Sequence, residues 1–432
     1  MVETCFVGCT PGLEAALRDE LEGLGVRATV TSGGCEVTGP SQSFVRLNVQ
    51  SRLASRVLLR LGHARTPAAL SSVPLRSVVG DAELALNVTT SGKVTPPPEV
   101  WRREAARRWR VQPRSASASL DGQRSTQGAS ADGAGGRAHE GSTDSRTPRA
   151  RRDDPRGSQR RVDGRTPGAA DLDRQPQRTP GTGGPSDGGR GDDGPVDAGD
   201  SPLEVSLRLD AGGAVVSVDT SGELLHVRGA RQETGKAPLR ETLASGVLRL
   251  CEWSPGEPLW DVMCGSGTFL LEAAEQALGL QPGRNRHFAF ERFVSVSAEA
   301  LAQATAPRAP VGTWLRGSDV NAGALGVARR NARRAGVLDA LQLERLDATA
   351  LKTPDVGPGL VLANLPYGKR VGTRFELATL YSQVGRTLKQ SLRGWRFGFL
   401  LQDGVDALGL EVSRSFQVKN GGLSCLVVTG RL

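Results

Sequence analysis

Leu360-Val361-Leu362-Ala363-Asn364-Leu365-Pro366-Tyr367 is the stretch that decides how the carboxyl half of this chain folds. Four apolar residues in a row are the pattern of a buried strand. The next four place an amide, a rigid ring and an aromatic at its carboxyl end, with Gly368-Lys369-Arg370 behind them. Such a group forms a compact site for a planar amine. The Asn364 oxygen and the Leu365 carbonyl can accept N–H hydrogen bonds, Pro366 stiffens the turn, and the Tyr367 ring can stack on a base. Upstream, Asp261-Val262-Met263-Cys264-Gly265-Ser266-Gly267-Thr268 also follows a strand-like run. Taken together, the two stretches point to methyl transfer onto an exocyclic base nitrogen.

Working outward, strands are expected at 257–261, 313–319, 341–346, 360–364, 394–402 and 423–429. Helices are expected at 239–250, 268–278, 322–335 and 377–388. This alternation implies a mostly parallel, doubly wound sheet with helices on both faces, a Rossmann-like class I methyltransferase domain over 238–432.

In that fold the turn Cys264-Gly265-Ser266-Gly267-Thr268 joins a strand to a helix. Its glycines let backbone approach a ligand, and the helix start offers free N–H groups. No third glycine completes a dinucleotide fingerprint. The turn suits S-adenosylmethionine, with Asp261 at the strand end, although Asp261 could equally cap the turn. Asp319 ends the next strand, where an acid accepts hydrogen bonds from ribose hydroxyls; its alternative is to cap the 322–335 helix. Asp347, after the third strand, could accept from the cofactor's adenine amine or be an ordinary loop residue.

The amino-terminal part reads differently. A strand at 5–8, a helix at 11–24 with Leu13, Leu17, Leu21 and Leu24 on one face, strands at 28–31 and 35–38, a helix at 42–49 and a strand at 54–61 give a β-α-β-β-α-β order. This suggests a ferredoxin-like unit over 1–62. A helix at 67–79, a strand at 83–90, a basic helix at 100–111 and a hairpin at 203–219 suggest a second α+β module, 63–111 with 202–230. In the basic helix Trp101, Ala105 and Trp109 should face a core. Arg103, Arg107 and Arg110 line another face, which could track phosphates or simply be solvated. Between the two parts of this module, 112–201 is Gly, Ser, Pro, Thr, Asp and Arg with almost no large apolar residue. Such a segment cannot bury enough surface to order itself, so it reads as a disordered insertion.

The chain has 432 residues and a formal charge of +9. Since acids and arginines roughly balance in the insertion, the excess positive charge sits on the remainder and suits a polyanion such as RNA. Arg enrichment from genome composition would look the same. The six cysteines form no CxxC pair, so no metal site is expected and most should be small core residues. No secretory signal or membrane span is legible, which makes the cytoplasm the default location.

The motifs resemble those of the bacterial large-subunit ribosomal RNA guanine-N2 methyltransferases that carry an amino-terminal THUMP module. The similar stretches run in order: Ala237 to Ala244, Asp261 to Ala274, Pro282 to Arg286 with Phe288 to Glu291, Asp319 with Ala328 to Ala332 and Ala335-Gly336, Asn364 to Gly372, and Lys419 to Leu423. Gly12-Leu13-Glu14 and Arg52 to Leu59 resemble its first region more loosely. The resemblance implies S-adenosyl-L-methionine as cofactor, no metal, and 23S ribosomal RNA as partner. It also implies catalytic roles for Asn364, Leu365, Pro366 and Tyr367, and cofactor binding by Asp261, Cys264, Gly265, Ser266, Gly267, Thr268, Asp319 and Asp347. Leu365 stands where that family usually has Pro, and Asn-Leu-Pro-Tyr is also the form of ribosomal RNA adenine dimethyltransferases. A tRNA guanine-N2 enzyme, an adenine-N6 enzyme and a catalytically degenerate RNA-binding assembly factor are the alternatives.

Overall fold

The computed structural model describes residues 2–111, 201–233, 239–294, 296–367 and 373–432. The 112–201 segment, apart from Ser201, lies outside the described residues, as do Gly368 to Gly372 of the catalytic motif and Ala237-Pro238 of the entry helix.

The amino-terminal half builds one seven-stranded sheet. Its elements are β1 (Val2–Cys9), α1 (Glu14–Gly23), β2 (Arg27–Thr31), β3 (Gly34–Pro40), α2 (Ser43–Gln50), β4 (Ala54–Ala64), α3 (Leu75–Val79), β5 (Leu84–Thr90), α4 (Pro98–Trp109), β6 (Leu203–Asp210) and β7 (Gly213–Asp219). The strand order is β2-β3-β1-β4-β7-β6-β5. Only the β5–β6 pair is parallel. Thus the β-α-β-β-α-β unit and the elements beyond it share one sheet, joined where β4 meets β7 with Leu58 opposite Asp219.

Sequence periodicity explains the packing. Leu13, Leu17, Leu21 and Leu24 are buried along α1, and Trp101, Ala105 and Trp109 along α4. Arg103, Arg107 and Arg110 are exposed. The helix expected at 67–79 is divided: a 3-10 turn covers Pro67–Ser72 and α3 begins only at Leu75. Pro74 causes the break, because it has no N–H to donate and forces Val73 into extended backbone (φ −78°, ψ 124°).

The carboxyl half builds a second seven-stranded sheet from α5 (Glu241–Leu250), β8 (Leu259–Asp261), α6 (Thr268–Ala277), α7 (Ala298–Thr305), β9 (Leu315–Asp319), α8 (Ala322–Ala335), β10 (Gln342–Arg345), β11 (Leu360–Asn364), α9 (Arg374–Ser391), β12 (Arg396–Leu401), β13 (Val412–Asn420) and β14 (Leu423–Arg431). Its order is β10-β9-β8-β11-β12-β14-β13. The first five strands are parallel, while β14 runs antiparallel to both of its neighbours, β12 and β13. The expected doubly wound α/β sheet is therefore present. α7 was not among the helices expected, and β13 was indicated only by the resemblance of Lys419 to Leu423 to a final hairpin.

The chain order reverses direction between β8 and β11, which lie side by side in the middle of the sheet. Ligands of open α/β sheets bind outside the carboxyl ends of the strands at such a switch point. The loops after Asp261 and Asn364 both leave the sheet there.

The two sheets share buried side chains. Leu13 of the amino-terminal half lies so close to Gly246 of α5 that a Cβ at Gly246 would sit 2.4 Å from Leu13 Cδ1. A buried charge cluster also joins them. Arg228 pairs with Glu272 of α6 at 3.2 Å, and Arg52 reaches Glu272 at 3.1 Å and Glu275 at 3.4 Å. Burial opposes ionisation of Glu272, but Arg228 and Arg52 outweigh it and hold the carboxyl below its ordinary value.

Candidate active site

Register brings the site together. Leu362 of β11 faces Asp261 of β8, and Asp261 faces Gly317 of β9. Asn364 and Asp319 therefore stand two residues beyond the positions facing Asp261, on the strands to either side of it, each one strand spacing of roughly 5 Å over. Arg345 of β10 faces Asp319, which puts Asp347 past the end of the next strand along.

The glycine turn is pinned from beneath. The Cys264 amide donates to the Ser318 carbonyl at 3.0 Å, and the Gly267 amide closes the turn onto the Cys264 carbonyl at 2.8 Å. Gly265 and Gly267 have φ of +52° and +86°, in the region that favours glycine. A Cβ at Gly265 would meet nothing within 4 Å, so this backbone faces open space. Gly267 caps α6, and a Cβ there would press on Ala328 of α8 at 3.2 Å. Thr268 begins α6, whose first-turn amides, like those of any helix, lack intrahelical acceptors.

Asp261 and Asp319 flank this turn, and Asp347 lies past the end of the next strand along. Asp261 is 1% exposed and its Oδ1 accepts from the Met263 amide at 3.3 Å. Burial pushes its carboxyl up to about 8, with the charge of Asp319 adding to the rise. It supports the turn from the strand side. Asp319 uses one oxygen to accept from the Gly265 amide at 2.9 Å and the other to accept from Asn321 at 2.8 Å. It does not cap the following helix. The Asn321 side chain does so, accepting from Gly323 and Ala324. Asp347 is exposed and makes an Asx turn, its Oδ1 accepting from the Thr349 amide at 2.8 Å and hydroxyl at 2.7 Å.

The loop after β11 is fixed at several points. Asn364 Oδ1 is buried and accepts no hydrogen bond among the described residues. Leu365 is buried, and its amide donates to the Leu400 carbonyl at 3.0 Å. The side chain that replaces the more usual Pro thus anchors the loop in the core. Tyr381 of α9 donates its hydroxyl to the Pro366 carbonyl at 2.7 Å. The Tyr367 hydroxyl accepts from Asn420 Nδ2 at 2.7 Å.

Two regions of the chain match known protein families. Residues 228–429 match the RMKL-like methyltransferase domain, and residues 4–58 match the RlmL ferredoxin-like domain. Residues 228–429, similar to that methyltransferase domain, take in both the glycine turn and the loop after β11. The chain is 36% identical over 246 residues to the Ribosomal RNA large subunit methyltransferase K/L of Photobacterium profundum, a match covering 54% of this chain and 35% of that protein. It thus spans about a third of that relative's length. The fold resembles the crystal structure of SMU.472 complexed with SAH, at a TM-score of 0.70 and 21% identity over 100% of this chain and 98% of the other. It also resembles a predicted N6-adenine-specific DNA methylase from Listeria monocytogenes, at 0.68 and 20% over 99% and 96%.

Within this half of the chain the structure also uses residues that no sequence motif singled out. Asn331 of α8, fully buried, donates from Nδ2 to the carbonyls of Ser266 at 3.3 Å and Glu233 at 3.0 Å. It ties the glycine turn to the chain entering the domain. Tyr381 and Asn420 hold the loop after β11. Asn331 and Asn420 fall inside stretches that resembled the family, but an amide's partner cannot be read from its neighbours in sequence. All six cysteines are buried and free. Among the described residues no group of His, Cys, Asp and Glu could hold a metal, and no helix is long and apolar enough to cross a membrane.

Proposed function

We propose that this protein methylates the exocyclic N2 amine of a guanine in RNA, with 23S ribosomal RNA as substrate and S-adenosyl-L-methionine as cofactor. The observation that carries the reading is Asn364 Oδ1. It is a buried acceptor without a partner among the described residues, at the switch point of a methyltransferase domain. An amine is the chemistry that would satisfy it. The relative named for large-subunit ribosomal RNA supports the substrate class.

The residues present fit the cofactor. The open backbone over Gly265, the start of α6 at Thr268, and the acids Asp319 and Asp347 would hold it. Ser266, Gly267 and Cys264 would shape the turn, with Asp261 bracing it. When bound, the cofactor supplies an electrophilic methyl group. The chain's own contribution is to hold the amine. Asn364 Oδ1 and the Leu365 carbonyl accept its N–H bonds, which orients the nitrogen and raises its electron density. Pro366 and Tyr367 restrict the base to one plane. The acceleration comes from proximity and a preformed acceptor, and no strong general base is required. A paired target base must first leave its stack, at a cost of a few kcal/mol.

A second reading, methylation of adenine N6, is favoured by Leu365, since Asn-Leu-Pro-Tyr is the form that adenine enzymes carry. Mass spectrometry of ribosomal RNA nucleosides from cells with and without the gene separates the two. Loss of N2-methylguanosine is expected. Loss of N6-methyladenosine would establish the second reading, and no change in either nucleoside would leave the assembly-factor role.

A further inference from the structure

The loop after β11 is held from two sides by the two tyrosines of the chain. Tyr381 grips it from α9 through the Pro366 carbonyl. Tyr367 is itself gripped, by Asn420 at the end of β13. The same hydroxyl hydrogen-bonds Cys425 of β14; burial pushes that thiol up and the bond works against the rise.

Asn420 is placed by more than its own strand. It faces Leu423 across a hairpin whose tip, Gly421 and Gly422, has φ of +55° and +90°. One residue back, the Lys419 amide donates to the Pro11 carbonyl at 3.2 Å. Two residues before that, Gln417 lies so close to Gly12 that a Cβ there would come within 1.9 Å of the Gln417 carbonyl oxygen. The β1–α1 turn of the amino-terminal sheet thus seats directly on β13. β13 presents Asn420, and Asn420 holds Tyr367.

We propose that Asn420 is a positioning residue through which the seating of the amino-terminal sheet on β13 fixes the Tyr367 ring, and with it the amine site at Asn364. The proposal rests on the reading of this loop as catalytic. The Tyr hydroxyl oxygen lies on the axis of the ring's terminal torsion, so a hydrogen bond there does not depend on ring rotation and instead fixes the direction in which the ring leans. A ring that leans away misplaces the base, and displacements of about an ångström are costly in methyl transfer as in any oriented reaction.

Two tyrosines make the test direct. Full-length protein carrying tyrosine labelled with carbon-13 at Cζ gives one resonance for each, and Tyr367→Phe assigns them. Asn420→Leu, similar in size but without a donor, is expected to shift the Tyr367 resonance and leave that of Tyr381 in place. On unmodified, in vitro-transcribed 23S ribosomal RNA it should slow single turnover roughly three- to tenfold, with S-adenosylmethionine affinity unchanged by calorimetry. Asn420→Asp, whose carboxylate can accept from the hydroxyl, should recover most of the rate. In a Tyr367→Phe background Asn420→Leu should cost nothing further. An unmoved Tyr367 resonance, additive losses in the double mutant, or equal losses in the Leu and Asp variants overturns the proposal. A wild-type protein that methylates no RNA overturns the catalytic reading instead, and the resonance shifts still report on the Asn420–Tyr367 link.

Discussion

A buried oxygen without a hydrogen bond costs a folded chain about 1–3 kcal/mol, and Asn364 Oδ1 has no partner among the described residues. Asn364→Ala is therefore expected to act in two directions. Single turnover should fall about 10²–10³-fold, with S-adenosylmethionine affinity kept, because the lost acceptor acts on the attacking amine. Thermal stability of the free protein should stay level or rise. Turnover near that of the wild type would remove the catalytic role. Asp261→Asn tests the other strand end. The folded chain holds the Asp261 proton up to about pH 8, against an ordinary value of 3.8. The native state thus loses stability as pH rises from about 4 to 8, and the loss is constant above that. Asparagine has no proton to lose. Its stabilising effect should be absent at pH 4 and reach a few kcal/mol by pH 8, read from urea midpoints across that range. A pH-independent difference would mean that the Asp261 carboxyl is not held neutral by burial. Asn364, Asp261 and Asp319 were legible because each sits at a strand end beside a distinctive turn. The orphaned oxygen of Asn364 and the protonation of Asp261 were not, since both depend on what the fold packs around them.

At the level of elements, periodicity located α1, α4, α6, α8 and most strands to within a few residues. It missed where neighbours overrode it. Pro74 broke the helix expected at 67–79. β13 alternates Val412, Phe416 and Val418 with polar residues, but it is an edge strand with much of its surface exposed, and its short apolar signal was passed over. The contact between the β1–α1 turn and β13 carries its own prediction. Gly12 has φ of +96° and no room for a side chain. Gly12→Ala should destabilise by ~2–5 kcal/mol, combining backbone strain with displacement of the Gln417 carbonyl. Gly23, at the end of α1, has nothing within 4 Å of its Cβ position. Gly23→Ala should be neutral or stabilising by up to about 1 kcal/mol. Denaturant midpoints of the two variants provide the comparison, and equal effects would show that the Gly12 contact is soft.

For the whole molecule, the joint between the halves rests on Arg228, Arg52, Glu272 and Glu275. Removing one member leaves charge buried without compensation. Arg228→Ala should cost about 3–5 kcal/mol at neutral pH. The wild-type pair contributes above the ordinary Glu value of 4.5 and loses that contribution as pH falls below it. The penalty of the variant should accordingly shrink in acid, and a penalty of the same size at pH 3 would mean that packing rather than charge is lost. This joint was illegible in sequence, because its members come from distant stretches and none belongs to a motif. The order of the first sheet also has a consequence for synthesis. β4 ends at Ala64, and its partner β7 begins at Gly213. A ribosome adding 5–20 residues per second takes about 8–30 s to bridge that interval. Throughout it, one side of β4 stays open on the nascent chain, an unpaired strand awaiting its neighbour. The timing of translation, and whatever shields that edge meanwhile, thereby becomes part of how this protein reaches its native state.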